Sequence, residues 1–77
     1  MIKAFMKKLG GPKAVSEKMK ELGENVSSNL VSVWCNRETI PYRYRLKIAR
    51  IAKNEKIPMK HIPKELKDFF IEIDAAA

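Results

Sequence analysis

Residues 25–36 (NVSSNLVSVWCN) carry amide, hydroxyl, thiol and apolar side chains without a single formal charge. The whole chain is 32% charged, so a neutral stretch of this length is exceptional within it. Asn and Ser side chains both donate and accept hydrogen bonds. The stretch is therefore either buried in the core or kept neutral on one face, where it can bind a partner through hydrogen bonds and shape.

Projected onto a helix at about 100° per residue, the neutral stretch is amphipathic. Apolar side chains share the side that we expect to face the core: Val26, Leu30, Val31, Trp34 and Cys35. Small polar groups share the opposite side, with Val33 at its edge: Ser28, Asn29, Ser32 and Asn36. An ordinary exposed polar face is the alternative interpretation. Such faces usually carry Lys and Glu, which form helices better than Ser and Asn, so the pattern favours close contact with a partner.

Glycine and proline divide the chain into five predicted helices, the last preceded by a short helical turn: 2–9, 12–22, 27–36, 42–54 and 63–72. Pro12 suits a first helical position, where its missing N–H is not needed. Ser27 or Ser28 is expected to cap the third helix through its hydroxyl. A β-strand over FFIEI (69–73) is the alternative for the last segment.

Positive charge is concentrated in the middle of the chain. The net charge is +7 with a pI near 9.8, which indicates a polyanionic partner such as nucleic acid or, less commonly, a membrane surface. Residues 26–60 contribute +6, whereas residues 61–77 contribute −2. Arg43, Lys47 and Arg50 recur at helical spacing and predict one basic stripe, which is either solvated or in contact with phosphates. The rest of that helix is expected to pack inward: Tyr44, Leu46, Ile48, Ala49, Ile51 and Ala52.

Seventy-seven residues predict one small domain, with a core at about 9–54 and a packing or dimerisation segment at 55–77. The single Cys35 cannot form an internal disulfide, which fits a cytoplasmic protein. No apolar run is long enough for a signal peptide or for the roughly 20 residues of a transmembrane helix. The sequence contains no nucleophile–base pair and no metal-ligand spacing. We therefore expect no enzyme, cofactor, metal or small-molecule ligand, and no membrane partner.

Three segments together resemble the Cro-like and YdaS-like regulators of phages and prophages. VSSNLVSVW (26–34) resembles their second-helix pattern Val-Ser-x-x-x-Val-Ser-x-Trp, and IPYRYRLKI (40–48) resembles the segment that opens the next helix. GPKAVS (11–16) is similar to their Gly-x-x-x-Leu-Ala opening, with Ser16 in place of Ala. The resemblance covers about residues 9–52. It implies an all-α, lambda-repressor-like helix-turn-helix domain of about five short helices. KELGEN (20–25) departs from the family's tight turn and predicts a looser connection.

The resemblance implies a sequence-specific double-stranded DNA-binding transcriptional regulator, a repressor whose helix 27–36 enters the major groove. The residues expected to contact bases are Ser28, Asn29, Ser32, Val33 and Asn36. Those expected to contact phosphates are Lys13, Ser27, Arg37, Tyr42 and Arg43.

Such regulators commonly bind an inverted-repeat operator as homodimers. The apolar residues expected to form the dimer contact, unless they pack onto their own core, are Phe69, Phe70, Ile71 and Ile73. Two other classes stay open: a nonspecific DNA- or RNA-binding or architectural protein, and a protein-interaction module such as an antitoxin or an inhibitor of a host factor.

Overall fold

The computed structural model describes residues 2–76, and for residues 72–76 it describes the backbone alone. The described chain is helical: α1 (Ile2–Lys8), α2 (Pro12–Glu21), α3 (Ser28–Arg37), α4 (Tyr42–Asn54) and α5 (Lys64–Ala76), with a single 3₁₀ turn at Met59–His61 before α5. The prediction of an all-α fold is confirmed. The β-strand alternative is wrong, because residues 69–73 lie within α5.

The ends of α3 are set by the two residues that flank it. Ser27 has an extended backbone, and its Oγ accepts a hydrogen bond from the Leu30 amide at 3.1 Å, so Ser27 rather than Ser28 is the cap. Glu38 adopts the left-handed conformation with φ 54°, which ends the helix. The first four helices begin and end within one residue of their predicted bounds, whereas α5 extends four residues further.

Two glycines reverse the chain between α1 and α2. Gly10 and Gly11 have φ values of +105° and +90°, which side chains disfavour. The Gly11 amide donates to the Met6 carbonyl at 3.0 Å. A Cβ at Gly10 would lie only 2.8 Å from the Cβ of Ala14. This tight turn allows α1 to contact both α2 and α3.

All five helices contribute to one core, whose fully buried side chains include Phe5, Met19, Val31, Ile48 and Leu66. α2 packs mainly on α3, and α4 packs mainly on α5. The core-facing stripe of α3 consists of Val31, Trp34 and Cys35.

Leu30 does not follow the prediction for the neutral stretch. It was expected in the core, but it is 37% exposed. Around the helix it lies about 100° from Val31, which places it on the flank of the buried stripe. Val26 is buried as predicted, but from the non-helical connection that precedes α3.

Candidate nucleic-acid interface

The outward face of α3 is a neutral polar surface. Asn29, Val33 and Asn36 are exposed, and Ser28 and Ser32 are half-buried. Within the described part of the chain, none of these polar side chains forms a hydrogen bond. Their amides and hydroxyls are therefore available to a partner. We call these five residues the α3 outer face.

The opposite side of α3 fixes the orientation of that face. Val31 is fully buried, Trp34 is 2% exposed and Cys35 is 7% exposed. The Trp34 ring packs against the Tyr44 ring of α4, with centroids 5.0 Å apart. Its burial prevents Trp34 from stacking on a base, as the sequence predicted. α3 is thereby held in one rotation about its axis, and the α3 outer face points away from the core.

The connection before α3 is held by side chains outside it. α2 ends at Glu21, so residues 22–27 form a six-residue connection. The buried Ser16 hydroxyl donates to the Val26 carbonyl. Lys47 Nζ donates to the Leu22 carbonyl at 3.2 Å and pairs with Glu24 at 3.1 Å. The predicted looseness of this segment is therefore offset by contacts to α2 and α4.

The three cations of the predicted basic stripe on α4 differ in how exposed they are in the folded protein. Lys47 is half-buried and already bound to Glu24, because the 22–27 connection packs over it. The Arg43 guanidinium lies 4.9 Å from the Tyr44 ring centroid and remains exposed, as does Arg50. Within the predicted stripe, the charge of Lys47 is thus paired inside the protein. Arg43 and Arg50 lie at the two ends of the stripe.

The residues predicted to bind phosphates lie at helix ends. Lys13 is exposed in the first turn of α2, which no side chain caps. Ser27 and Arg37 are exposed at the two ends of α3. Tyr42, 73% exposed, and Arg43 begin α4. The Ser27 oxygen is used for capping, and its proton remains free to donate.

Two lysines that the sequence did not single out lie beside the α3 outer face. Lys3 and Lys7 of α1 border a hollow of about 340 Å³ whose opposite wall includes Ser32 and Asn36. Their i, i+4 spacing is visible in the sequence and places them on one side of α1. That α1 packs against α3 is a tertiary fact, so the sequence alone could not bring them to this face.

Cys35 is a buried free thiol whose surroundings disfavour the thiolate form. Burial, followed by the nearby Glu38, raises the pKa of its thiol, so the protonated form is favoured. Among the residues whose side chains are described, no three His, Cys, Asp or Glu side chains are grouped to hold a metal ion. No helix in the described chain has the length and apolarity to span a membrane.

The residues predicted to form a dimer contact occupy different environments. Phe70 is 8% exposed and belongs to the core of its own chain. Phe69 is half-buried and meets the Tyr42 ring edge-on, with centroids 5.4 Å apart. Ile71 is 72% exposed. The side chain of Ile73 lies outside the described residues. Of these residues, Ile71 and the outer part of Phe69 are the ones whose described side chains leave apolar surface exposed.

Comparison with known proteins finds no matching family model, no significantly similar curated protein and no significantly similar solved structure. The resemblance to Cro-like regulators therefore rests on the three sequence segments alone and stays a prediction.

Proposed function

We propose that this protein is a sequence-specific double-stranded DNA-binding transcriptional regulator, a Cro-like repressor acting in the cytoplasm. α3 would enter the major groove, whose width of about 12 Å admits one helix. The α3 outer face carries this proposal, because its five neutral side chains are turned away from a core that holds the helix from behind. A helix face built only for solubility would not need neutral groups at all five positions.

The chemistry of the α3 outer face matches the edges of base pairs. Asn29 and Asn36 can each bind adenine through N6 and N7, since an amide offers a donor and an acceptor side by side. Ser28 and Ser32 can donate to or accept from several bases. Val33, 39% exposed, provides a methyl surface for a thymine methyl group.

Phosphate contacts would fix the register of α3 in the groove. The residues proposed for these contacts lie at the start of α2, at the two ends of α3 and at the start of α4: Lys13, Ser27, Arg37, Tyr42 and Arg43. Their contacts carry no sequence information, but they position the helix. Because each neutralised phosphate releases counterions, the affinity should fall steeply with salt concentration.

A homodimer on an inverted repeat would supply the rest of the specificity. Of the five residues of the α3 outer face, Asn29 and Asn36 are the two that can bind a base through two hydrogen bonds at once. Each such pair contributes about 1–3 kcal/mol of discrimination. Two copies reading half-sites about 10 base pairs apart would double that contribution. In this arrangement Ile71 and Phe69 of α5 would meet the second copy.

Selection of bound sites from random duplexes, at two salt concentrations, tests the proposal. The wild type should recover one recurring sequence with two-fold symmetry. The N29A/S32A variant should lose preference at the contacted positions and keep its affinity for random DNA. Asn54→Ala is the matched control, because it removes an exposed amide from the far end of α4. This control should select the wild-type sequence.

Other outcomes would support the competing classes. Equal loss of affinity for every duplex in the N29A/S32A variant would contradict base readout. Equal binding of all duplexes, or of RNA, by the wild type would indicate a nonspecific or architectural protein. Failure to bind DNA, together with one stoichiometric protein partner, would indicate a protein-interaction module.

A further inference from the structure

A hollow of about 340 Å³ lies between α1 and α3, and we call it the α1–α3 groove. Lys3 and Lys7 of α1 line one wall, and Ser32 and Asn36 of α3 line the other. The glycine–proline start of α2 closes it at one end. Two of the five residues of the α3 outer face thus line this groove, so a ligand on α3 would also meet α1.

The groove is positively charged and lacks carboxylates. Lys3 and Lys7 are both exposed, and neither forms an ion pair with any side chain of residues 2–71. Another hollow beside α1 carries a net negative charge, since Glu38 and Glu65 line it together with Ile2 and Lys64. The Glu38 carboxylate accepts a hydrogen bond from the Lys3 backbone amide at 2.9 Å, but the ammonium groups of Lys3 and Lys7 form no ion pair within the described residues. These two ammonium groups favour an anionic ligand.

We propose that the α1–α3 groove holds the sugar–phosphate backbone of one DNA strand, beside the major groove that α3 enters. This inference rests on the proposed function, because α3 must lie in the major groove for its flank to meet that strand. Positions i and i+4 are separated by about 6 Å along a helix axis, so Lys3 and Lys7 can each neutralise a separate phosphate. α1 thereby becomes a second phosphate-binding element, in addition to Arg37 and the start of α4.

The salt dependence of binding is the quantity that this inference predicts. For B-DNA the slope of log affinity against log salt changes by about 0.9 for each phosphate contact. Loss of both lysines should reduce the slope by about 1.8. It should also weaken binding to selected and random duplexes by the same factor, since phosphates carry no sequence information. The recovered sequence should not change.

The experiment compares the K3Q/K7Q and K64Q/K67Q variants of the full chain by fluorescence anisotropy, with a selected and a random duplex between 50 and 200 mM salt. K64Q/K67Q removes the same charge from exposed positions on α5. K3Q/K7Q should show the reduced slope and a loss of affinity of about tenfold or more at 100 mM salt. K64Q/K67Q should keep the wild-type slope. K3R/K7R retains both positive charges and should therefore show the wild-type slope. Thermal melting confirms that each variant folds.

The outcomes separate the two proposals. A wild-type slope in folded K3Q/K7Q, alongside relaxed preference in N29A/S32A, would overturn the groove inference and leave the proposed function standing. An equal loss of slope in K64Q/K67Q would also overturn it, since net charge alone would then explain the effect. Absence of duplex binding by the wild type would overturn both.

Discussion

α1 and α4 are both basic helices, yet folding uses their charges differently. In α4, Arg45 bonds the Ile40 carbonyl at 2.8 Å and Glu65 at 3.2 Å, and Lys47 bonds the 22–27 connection. In α1, Lys3 and Lys7 stay exposed at the edge of the α3 outer face. The number of basic residues in a segment thus gives its charge, whereas the fold decides how much of that charge can meet a ligand.

The difference follows from what each helix packs against. α4 contacts α2 and α5, and Glu24 and Glu65 on or beside those helices reach its cations. α1 contacts α3, whose outer face has no carboxylate to offer. The absence of charge on the α3 outer face therefore has two consequences: it leaves groups free for bases, and it provides no ion-pair partner for the side chains of Lys3 and Lys7.

Gly10→Ala should have the largest effect, because it breaks the placement of α1 beside α3. The added Cβ would meet Ala14 at 2.8 Å in a backbone with φ +105°. We expect the free energy of unfolding to fall by about 3 kcal/mol, measured by urea denaturation with Trp34 fluorescence. Gly23→Ala is the control: it has φ +85° but open space around it, so a loss of about 1 kcal/mol is expected. Equal losses would show that the contact with Ala14 does not matter.

Ser16→Ala should have the next largest effect. Ser16 and Lys47 both donate hydrogen bonds to the 22–27 connection, and this substitution removes the bond from Ser16. The Val26 carbonyl would lose its partner in a buried setting. An unsatisfied buried acceptor costs about 1–3 kcal/mol, so a loss near the lower end of that range is expected in the same urea experiment. Ser32→Ala, on the α3 outer face, should change stability by less than about 0.5 kcal/mol. A neutral outcome for Ser16→Ala would show that the connection does not depend on this bond.

Lys47→Met tests the comparison between α1 and α4 directly. Its ammonium is partly exposed, and it contacts Leu22 and Glu24. Removal should therefore lower the free energy of unfolding by about 0.5–1 kcal/mol. The salt dependence of DNA binding should stay at the wild-type slope, in contrast to the K3Q/K7Q variant. A reduced slope would show that Lys47 binds phosphate despite its internal partners.

The smallest expected effect concerns the rate at which the Cys35 thiol is alkylated. Burial raises the pKa of its thiol above the ordinary value, with a further contribution from Glu38, so less thiolate is present at any given pH. Folding then favours the protonated thiol. This contribution to stability is fully present below the unfolded pKa and is lost as the pH rises through the folded one. Alkylation at pH 8 should be slower in the folded protein than in urea, and equal rates would contradict the assignment.

Local sequence patterns predicted the helices and much of the core. The spacing of Val31, Trp34 and Cys35 identified the buried side of α3, and Ser27 marked its start. The prediction that Leu30 is buried was wrong. Leu30 lies on the flank of the buried stripe, where the packing of neighbouring helices decides whether a side chain is buried. Turn glycines and prolines marked the helix ends to within a residue for α1 to α4.

Contacts between distant residues could not be predicted in this way. Lys47 of α4 pairs with Glu24 of the connection before α3. The helical pattern of α4 alone predicts an exposed Lys47, because it contains no information about Glu24. The position of Lys3 and Lys7 beside α3 likewise depends on the turn at Gly10 and on the packing of α1. The Ser16 hydroxyl likewise donates to the carbonyl of Val26, a contact that forms only when folding brings the two residues together.

Nuclear magnetic resonance of the labelled protein, titrated with the selected duplex, tests the central claim most directly. If α3 enters the major groove, the largest shifts will fall on backbone amides of α3 and on the side-chain amides of Asn29 and Asn36. Contacts between Val33 methyl protons and base protons are also expected. Shifts concentrated on α5, with the α3 outer face unchanged, would contradict major-groove binding by α3.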